Sequence, residues 1–178
     1  MALSYNTIFG KALHFPGAIS APEDLIAAAE TYEWSAAEGE LKIQRSAFYT
    51  EDATLIGEIA AVMKAYAEAV GAPAPMSDED LANLSSMDIE VSKFPVNSEF
   101  GNHKDSDTSE EETPGVVSLV LILNDNHGGG EFGFVDVDGE VSVSAGDALA
   151  FPSYLERYTT AVEDSVKYYA TINFTLDV

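Results

Sequence analysis

Apolar and polar positions along this chain change their period near its middle. In the first half they recur at helical spacing. Leu25, Ile26, Ala29 and Tyr32 mark a helix over about residues 22–34. It follows Ser20-Ala21-Pro22-Glu23, a capping-box pattern with proline in the first turn. Leu55, Ile59, Val62, Met63, Tyr66 and Val70 mark a second helix, opened by Thr50-Glu51-Asp52 and stopped by Gly71 and Pro73. Ser77-Asp78-Glu79-Asp80 caps a short third one. Residues 1–19 read as an irregular arm or short strand, and 41–49 as a strand.

From Met87 the period becomes two. Met87, Ile89 and Val91 alternate with Asp88, Glu90 and Ser92, as in a half-buried strand. Residues 116–124 are a continuous apolar run, a strand buried on both faces. Residues 131–137 and 140–144 flank Asp138-Gly139 as a hairpin. Strands at 148–151, 157–162 and 166–176 close the series. In the last of these, Val166, Tyr168, Ala170, Ile172, Phe174 and Leu176 form an apolar face, and Lys167, Tyr169, Thr171, Asn173 and Thr175 a polar one. That polar face is either solvated or lines a polar pocket. Residues 105–115 read as an acidic solvated loop. The order of helices and strands predicts an α+β domain with helices on one side of an antiparallel sandwich or barrel. It spans 1–178 as one unit, with mainly helical support to residue 86 and a β core from residue 87.

Charge narrows the partners. Eight Lys and Arg stand against 31 Asp and Glu, a net charge of −23. No basic patch is visible, which argues against binding nucleic acid or an anionic membrane surface. Cysteine is absent, so disulfides and thiolate metal sites are excluded. No apolar run reaches the roughly 20 residues of a membrane span. No basic region followed by an apolar core opens the chain. The expectation is a soluble protein of the cytoplasm or a virion.

The chemistry centres on Gly101-Asn102-His103-Lys104-Asp105. On a strand, His103 and Asp105 share a face. An imidazole and a carboxylate supply two of the three ligands of a non-haem iron(II) facial triad. In a polar loop the same pair is simply solvated.

Several segments together resemble the iron(II)/2-oxoglutarate-dependent dioxygenases, in particular their prolyl 4-hydroxylase-like branch. They are residues 90–95, 100–105, 121–125, 129–132, 146–153 and 166–168, with Arg45-Ser46 in the first half. The resemblance implies a double-stranded β-helix, a distorted jelly roll. It implies iron(II) held by His103 and Asp105, and 2-oxoglutarate held through its distal carboxylate by Lys167. It also exposes two departures. Phe94 stands where the family often has a tyrosine that helps bind 2-oxoglutarate. Arg157 stands where the family places its third metal ligand, a histidine, and a guanidinium offers no lone pair to a metal.

Arg157 is therefore expected to pair with Asp105 in the place of the metal. Two functions follow. One is a catalytically silent binding or structural subunit without cofactor, with protein neighbours in a larger assembly such as a virus particle. The alternative is an active 2-oxoglutarate-dependent hydroxylase of a peptide or small molecule. His14 and His127 are the remaining histidines. His14 is read as structural, and His127 would serve as a ligand only with an altered loop.

Overall fold

The computed structural model of the protein describes residues 3–36, 42–106 and 115–176. Most of the acidic loop expected at 105–115 lies outside the described residues.

The chain opens with two short strands, β1 (Asn6–Phe9) and β2 (Ala12–Phe15). Of the irregular arm or short strand expected there, strand is what forms, as two short strands in place of one. Ala12, Leu13 and Phe15 are buried, and β2 pairs with a strand more than 130 residues away, so local pattern carries little of the signal. Helix α1 covers Pro22–Ala29, shorter than expected, with Leu25 and Ala29 buried. Its N-cap is Ala21 and no side chain caps it. The capping box expected at Ser20 does not form, and the Ser20 N–H instead meets the Glu58 carboxylate at 3.2 Å. Tyr32 lies beyond the helix, exposed, and stacks on Phe48 at 4.9 Å between ring centroids.

Strand β3 (Ser35–Ala36) and β4 (Gln44–Thr50) lead into α2 (Ala53–Val70). Asp52 caps α2 by accepting from the Thr54 and Leu55 N–H groups, and Gly71 ends it at φ 73°. The short α3 (Asp78–Asn83) carries the capping box expected between Ser77 and Asp80. Eight strands follow: β5 (Met87–Phe94), β6 (Phe100–His103), β7 (Val116–Ile122), β8 (Phe132–Phe134), β9 (Glu140–Val141), β10 (Ala148–Pro152), β11 (Arg157–Thr159) and β12 (Lys167–Thr175).

They form two antiparallel sheets. The larger has the order β1-β2-β10-β7-β12-β5-β4-β3 and the smaller β6-β11-β8-β9. This is the expected double-stranded β-helix with helices on one side. The four strands of the first half extend its larger sheet. Period-two alternation divides the core. Leu119, Leu121, Ala170, Ile172 and Phe174 face α1 and α2. Val120, Ile122, Phe151 and Tyr169 face Phe132 and Phe134 of the smaller sheet. Strand β7 is buried on both faces, which explains its unbroken apolar run.

The turn after β7 closes the end of the sandwich. Gly129 has φ 62° and bridges Val162, and a Cβ there would stand 2.1 Å from the Ala161 carbonyl oxygen. Gly129→Ala therefore meets both a disfavoured backbone region and a rigid neighbour. We expect it to lower stability by about 1–3 kcal/mol, read as a shift of the urea midpoint at unchanged slope. An unshifted midpoint would show that this corner is not held as described.

Candidate functional site

The site is built where the smaller sheet meets the polar face of β12. Strand β6 ends at His103, and β11 places Arg157 directly opposite it in register. The Asp105 and Ser106 N–H groups both donate to the Ser153 carbonyl at 3.1 Å, which fixes the chain just beyond His103. Local pairing thus brings His103, Asp105 and Arg157 together.

Arg157 reaches between the sheets. Its Nε and Nη2 both donate to Asp105 Oδ1, at 3.0 and 2.8 Å. Its guanidinium lies 5.4, 5.8 and 5.6 Å from the ring centroids of Phe132, Phe151 and Tyr169. Those aromatic walls favour the cation and hold the plane of the fork. Only 3% of the residue is exposed.

The protonation states follow from this packing. Burial pushes the Asp105 carboxyl up, but Arg157 and the Ser118 hydroxyl outweigh it and hold the pKa below its usual value. Burial likewise opposes the charge on Arg157, and Tyr169 and Asp105 outweigh it. His103 moves the other way. Burial first, then the Arg157 charge, lower its pKa to about 4, so it is neutral at pH 7. Its Nδ1 lies 2.8 Å from the Gly101 carbonyl, which can only accept, so Nδ1 carries the proton. Nε2 is left with its lone pair, 3.7 Å from Asp105 Oδ1.

A cavity of about 270 Å³ opens over these groups. Its floor is a row across the larger sheet. Arg45 on β4 pairs with Ser92 on β5, and Ser92 pairs with Tyr169 on β12. Glu90, Phe100, Lys104, Thr171 and Asn173 complete the lining. Tyr169, Thr171 and Asn173 of the polar face read from the sequence of β12 thus line a pocket. Four buried atoms around it lack a hydrogen-bond partner among the described residues: His103 Nε2, Asp105 Oδ2, Arg157 Nη1 and Arg45 Nε. Arg45 Nε is 3.6 Å from Glu90 Oε1, close enough for charge attraction but not for a hydrogen bond.

Lys167 lies elsewhere. It opens β12 opposite Phe94, fully buried, and its Nζ donates to the Gly130 carbonyl. Burial lowers its pKa to about 8, partly offset by Glu131 and reinforced by Arg157. It does not line the cavity over Arg157. His14 is bonded to Asp147 at 2.8 Å, and His127 Nδ1 lies 2.9 Å from the Gly129 carbonyl.

Iron(II) fits this set of side chains poorly. His103 Nε2 and Asp105 are ligand types, but Asp105 Oδ1 is taken by two guanidinium N–H groups. No group of three His, Cys, Asp or Glu residues placed to hold a metal occurs among the described residues.

No family model and no curated protein matches the chain. Solved structures do. The viral collagen prolyl hydroxylase of Paramecium Bursaria Chlorella virus-1, in complex with 2-oxoglutarate, superposes with a TM-score of 0.66 at 16% identity, covering 95% of this chain and 97% of that one. The chain has the fold of the 2-oxoglutarate/iron(II) oxygenases. A Pseudomonas putida prolyl-4-hydroxylase gives a TM-score of 0.64 at 18% identity over 94% of each chain. A 2OG-Fe(II) oxygenase-family oxidoreductase from Burkholderia pseudomallei gives 0.59 at 13% identity, covering 93% of this chain and 84% of that one. The oxygenase fold thus surrounds a centre whose residues include Arg157.

Arg157→Leu leaves the Asp105 carboxylate buried without its cation. We expect a loss of about 3–5 kcal/mol, most of it regained in Arg157→Leu/Asp105→Leu, by urea unfolding of both variants. Equal losses in both would refute the coupling. Acid should also weaken the fold through His103. Its folded pKa, about 4, lies below the ordinary 6.5. The stabilisation is therefore complete above pH 6.5 and is lost as pH falls toward 4, on the order of 3 kcal/mol. His103→Gln should flatten the unfolding profile in that window, and an unchanged slope would contradict it.

Proposed function

We propose that this protein is a catalytically silent binding domain built on the oxygenase fold, with the Arg157–Asp105 ion pair standing in place of a metal. The observation that carries the reading is the double donation of Arg157 Nε and Nη2 to Asp105 Oδ1. A cation already neutralises the carboxylate that would face iron. A second positive centre there meets direct repulsion in a low-dielectric site. Lys167 supports the same reading, because its ammonium is directed to a backbone carbonyl rather than into the cavity. A silent domain acts through what it binds, and protein neighbours in a larger assembly belong to this proposal.

A second reading, an active 2-oxoglutarate-dependent hydroxylase, is favoured by one feature. His103 Nε2 and Asp105 Oδ2 are both buried lone-pair atoms without partners. Turnover of 2-oxoglutarate with iron(II) and ascorbate separates the two. We expect none in the native protein and no stoichiometric iron by metal analysis. Arg157→His, which restores an imidazole, should gain iron binding. Native turnover above the metal-free background would overturn the silent reading.

A further inference from the structure

The larger sheet ends on a strand that is only partly covered. Strand β4 has seven residues, and β3 pairs with two of them, Gln44 and Arg45. Continued, that register would set Glu33 opposite Ala47, but the ladder stops at Ser35 and the chain before it leaves for α1. On its other side β4 pairs with β5 along its whole length. The peptide groups of an antiparallel strand point to alternate sides, residue by residue. The Arg45 carbonyl accepts from the Ser35 hydroxyl at 3.3 Å, so the Arg45 groups face β3. A period of two turns those of Ala47 and Tyr49 the same way, where no described strand meets them. Both residues are exposed, Tyr49 to 68%. Proline, lysine and bulges commonly protect a sheet edge from pairing. None stands at 46–50, and the β4–β5 register is unbroken there.

A groove of about 750 Å³ runs along this edge. Tyr32, stacked on Phe48, walls it on the face that packs against α1. Tyr49 and its cross-strand partner Asp88 share the opposite face, and Glu51 lies at the end of the strand. Asp88 and Glu51 are exposed, and no lysine or arginine lines the groove. We infer that the open edge of β4 takes up an extended basic segment of a partner protein as an added strand, hydrogen-bonded to the peptide groups of Ala47 and Tyr49. Main-chain donors and acceptors at strand spacing match another backbone, and the alternate side chains of that backbone choose the partner. Those on the face of Tyr49 and Asp88 would be cationic, held by the ring and the carboxylate. Those on the other face would be apolar, against Tyr32. A second copy of this chain fits badly, because it sets a net charge of −23 against another and meets Glu51 and Asp88 with acids of its own. The groove shares no lining residue with the cavity over Arg157, so the inference holds whether or not that centre is silent.

The test titrates the intact protein, at physiological salt, with a synthetic peptide of alternating lysine and valine, read by the NMR signals of the Ala47 and Tyr49 amides. Binding should slow hydrogen exchange at both. N-methylation of every second peptide nitrogen should abolish binding in one phase and spare it in the other, since only one phase faces β4. A peptide of the same composition with its lysines and valines in separate blocks should bind about tenfold more weakly. Ala47→Pro removes an outward N–H and keeps the β4–β5 ladder, so it should fold and weaken the peptide by about tenfold or more. Asp88→Asn, which leaves the backbone alone, should weaken it by about threefold. Equal binding of the blocked peptide, or of both methylated ones, would reduce the effect to charge attraction and overturn the inference. So would a glutamate–valine peptide that binds as tightly, or no binding of the lysine–valine peptide at millimolar concentration. Protection of Ala47 and Tyr49 that rises with protein concentration alone would assign the edge to a second copy instead.

Discussion

A guanidinium buried to this depth is tolerable only under narrow conditions, and those conditions organise the centre of the protein. Desolvating a charge costs several kcal/mol even after relaxation. Arg157 recovers part of that from Asp105, through a fork that places two N–H groups on one oxygen. It recovers more from the faces of Phe132, Phe151 and Tyr169. Each partner comes from a different element. Phe132 lies on β8, Phe151 on β10, Tyr169 on β12, and Asp105 just beyond β6. The cation therefore couples both sheets, and its position depends on their register.

The same arrangement sets the character of everything near it. Two cations and two anions border the cavity over His103, at Arg45, Arg157, Glu90 and Asp105, with Lys104 exposed at its edge. Burial, and after it the Arg157 charge, keeps the imidazole neutral at ordinary pH, with Nε2 left as its lone-pair atom. Lys167, a second buried cation whose pKa is lowered by burial and, less, by Arg157, donates a hydrogen bond to a backbone carbonyl away from the cavity. A metal-centred site would ask the opposite of these groups, with acceptors converging on one point and no fixed cation among them.

Much of this was readable from local pattern. The polar alternation of β12 follows from a period of two and the uninterrupted run of β7 from burial on both faces, so both survive without knowledge of partners, whereas Asp105 lies just beyond β6 and joins His103 through the chain's turn at Ser153. The pairing of Arg157 with Asp105 could be anticipated because an arginine occupied the position where the resemblance calls for a histidine. What escaped was set by distant pairing. Strands β1 and β2 have only four residues each and acquire their place from β10. Arg45 enters the site only through the register β4–β5–β12, which no short window contains. Ser20 carries the capping pattern, yet its N–H is claimed by Glu58 on a neighbouring helix. The buried state of Lys167 was equally hidden, since its acceptor belongs to Gly130, in the turn after β7.

The overall charge bears on which ligand such a centre can attract. At −23 the protein repels anions at its surface, over a range of roughly 8–10 Å at physiological salt. A dianion such as 2-oxoglutarate must cross that field before it reaches a cation. In the active sites of this fold a metal offers a strong enough reward at the end. Here the cations present are partly spent, Arg157 on Asp105 and Arg45 on Glu90. A multiply charged anion therefore meets, at this centre, cations already engaged with carboxylates.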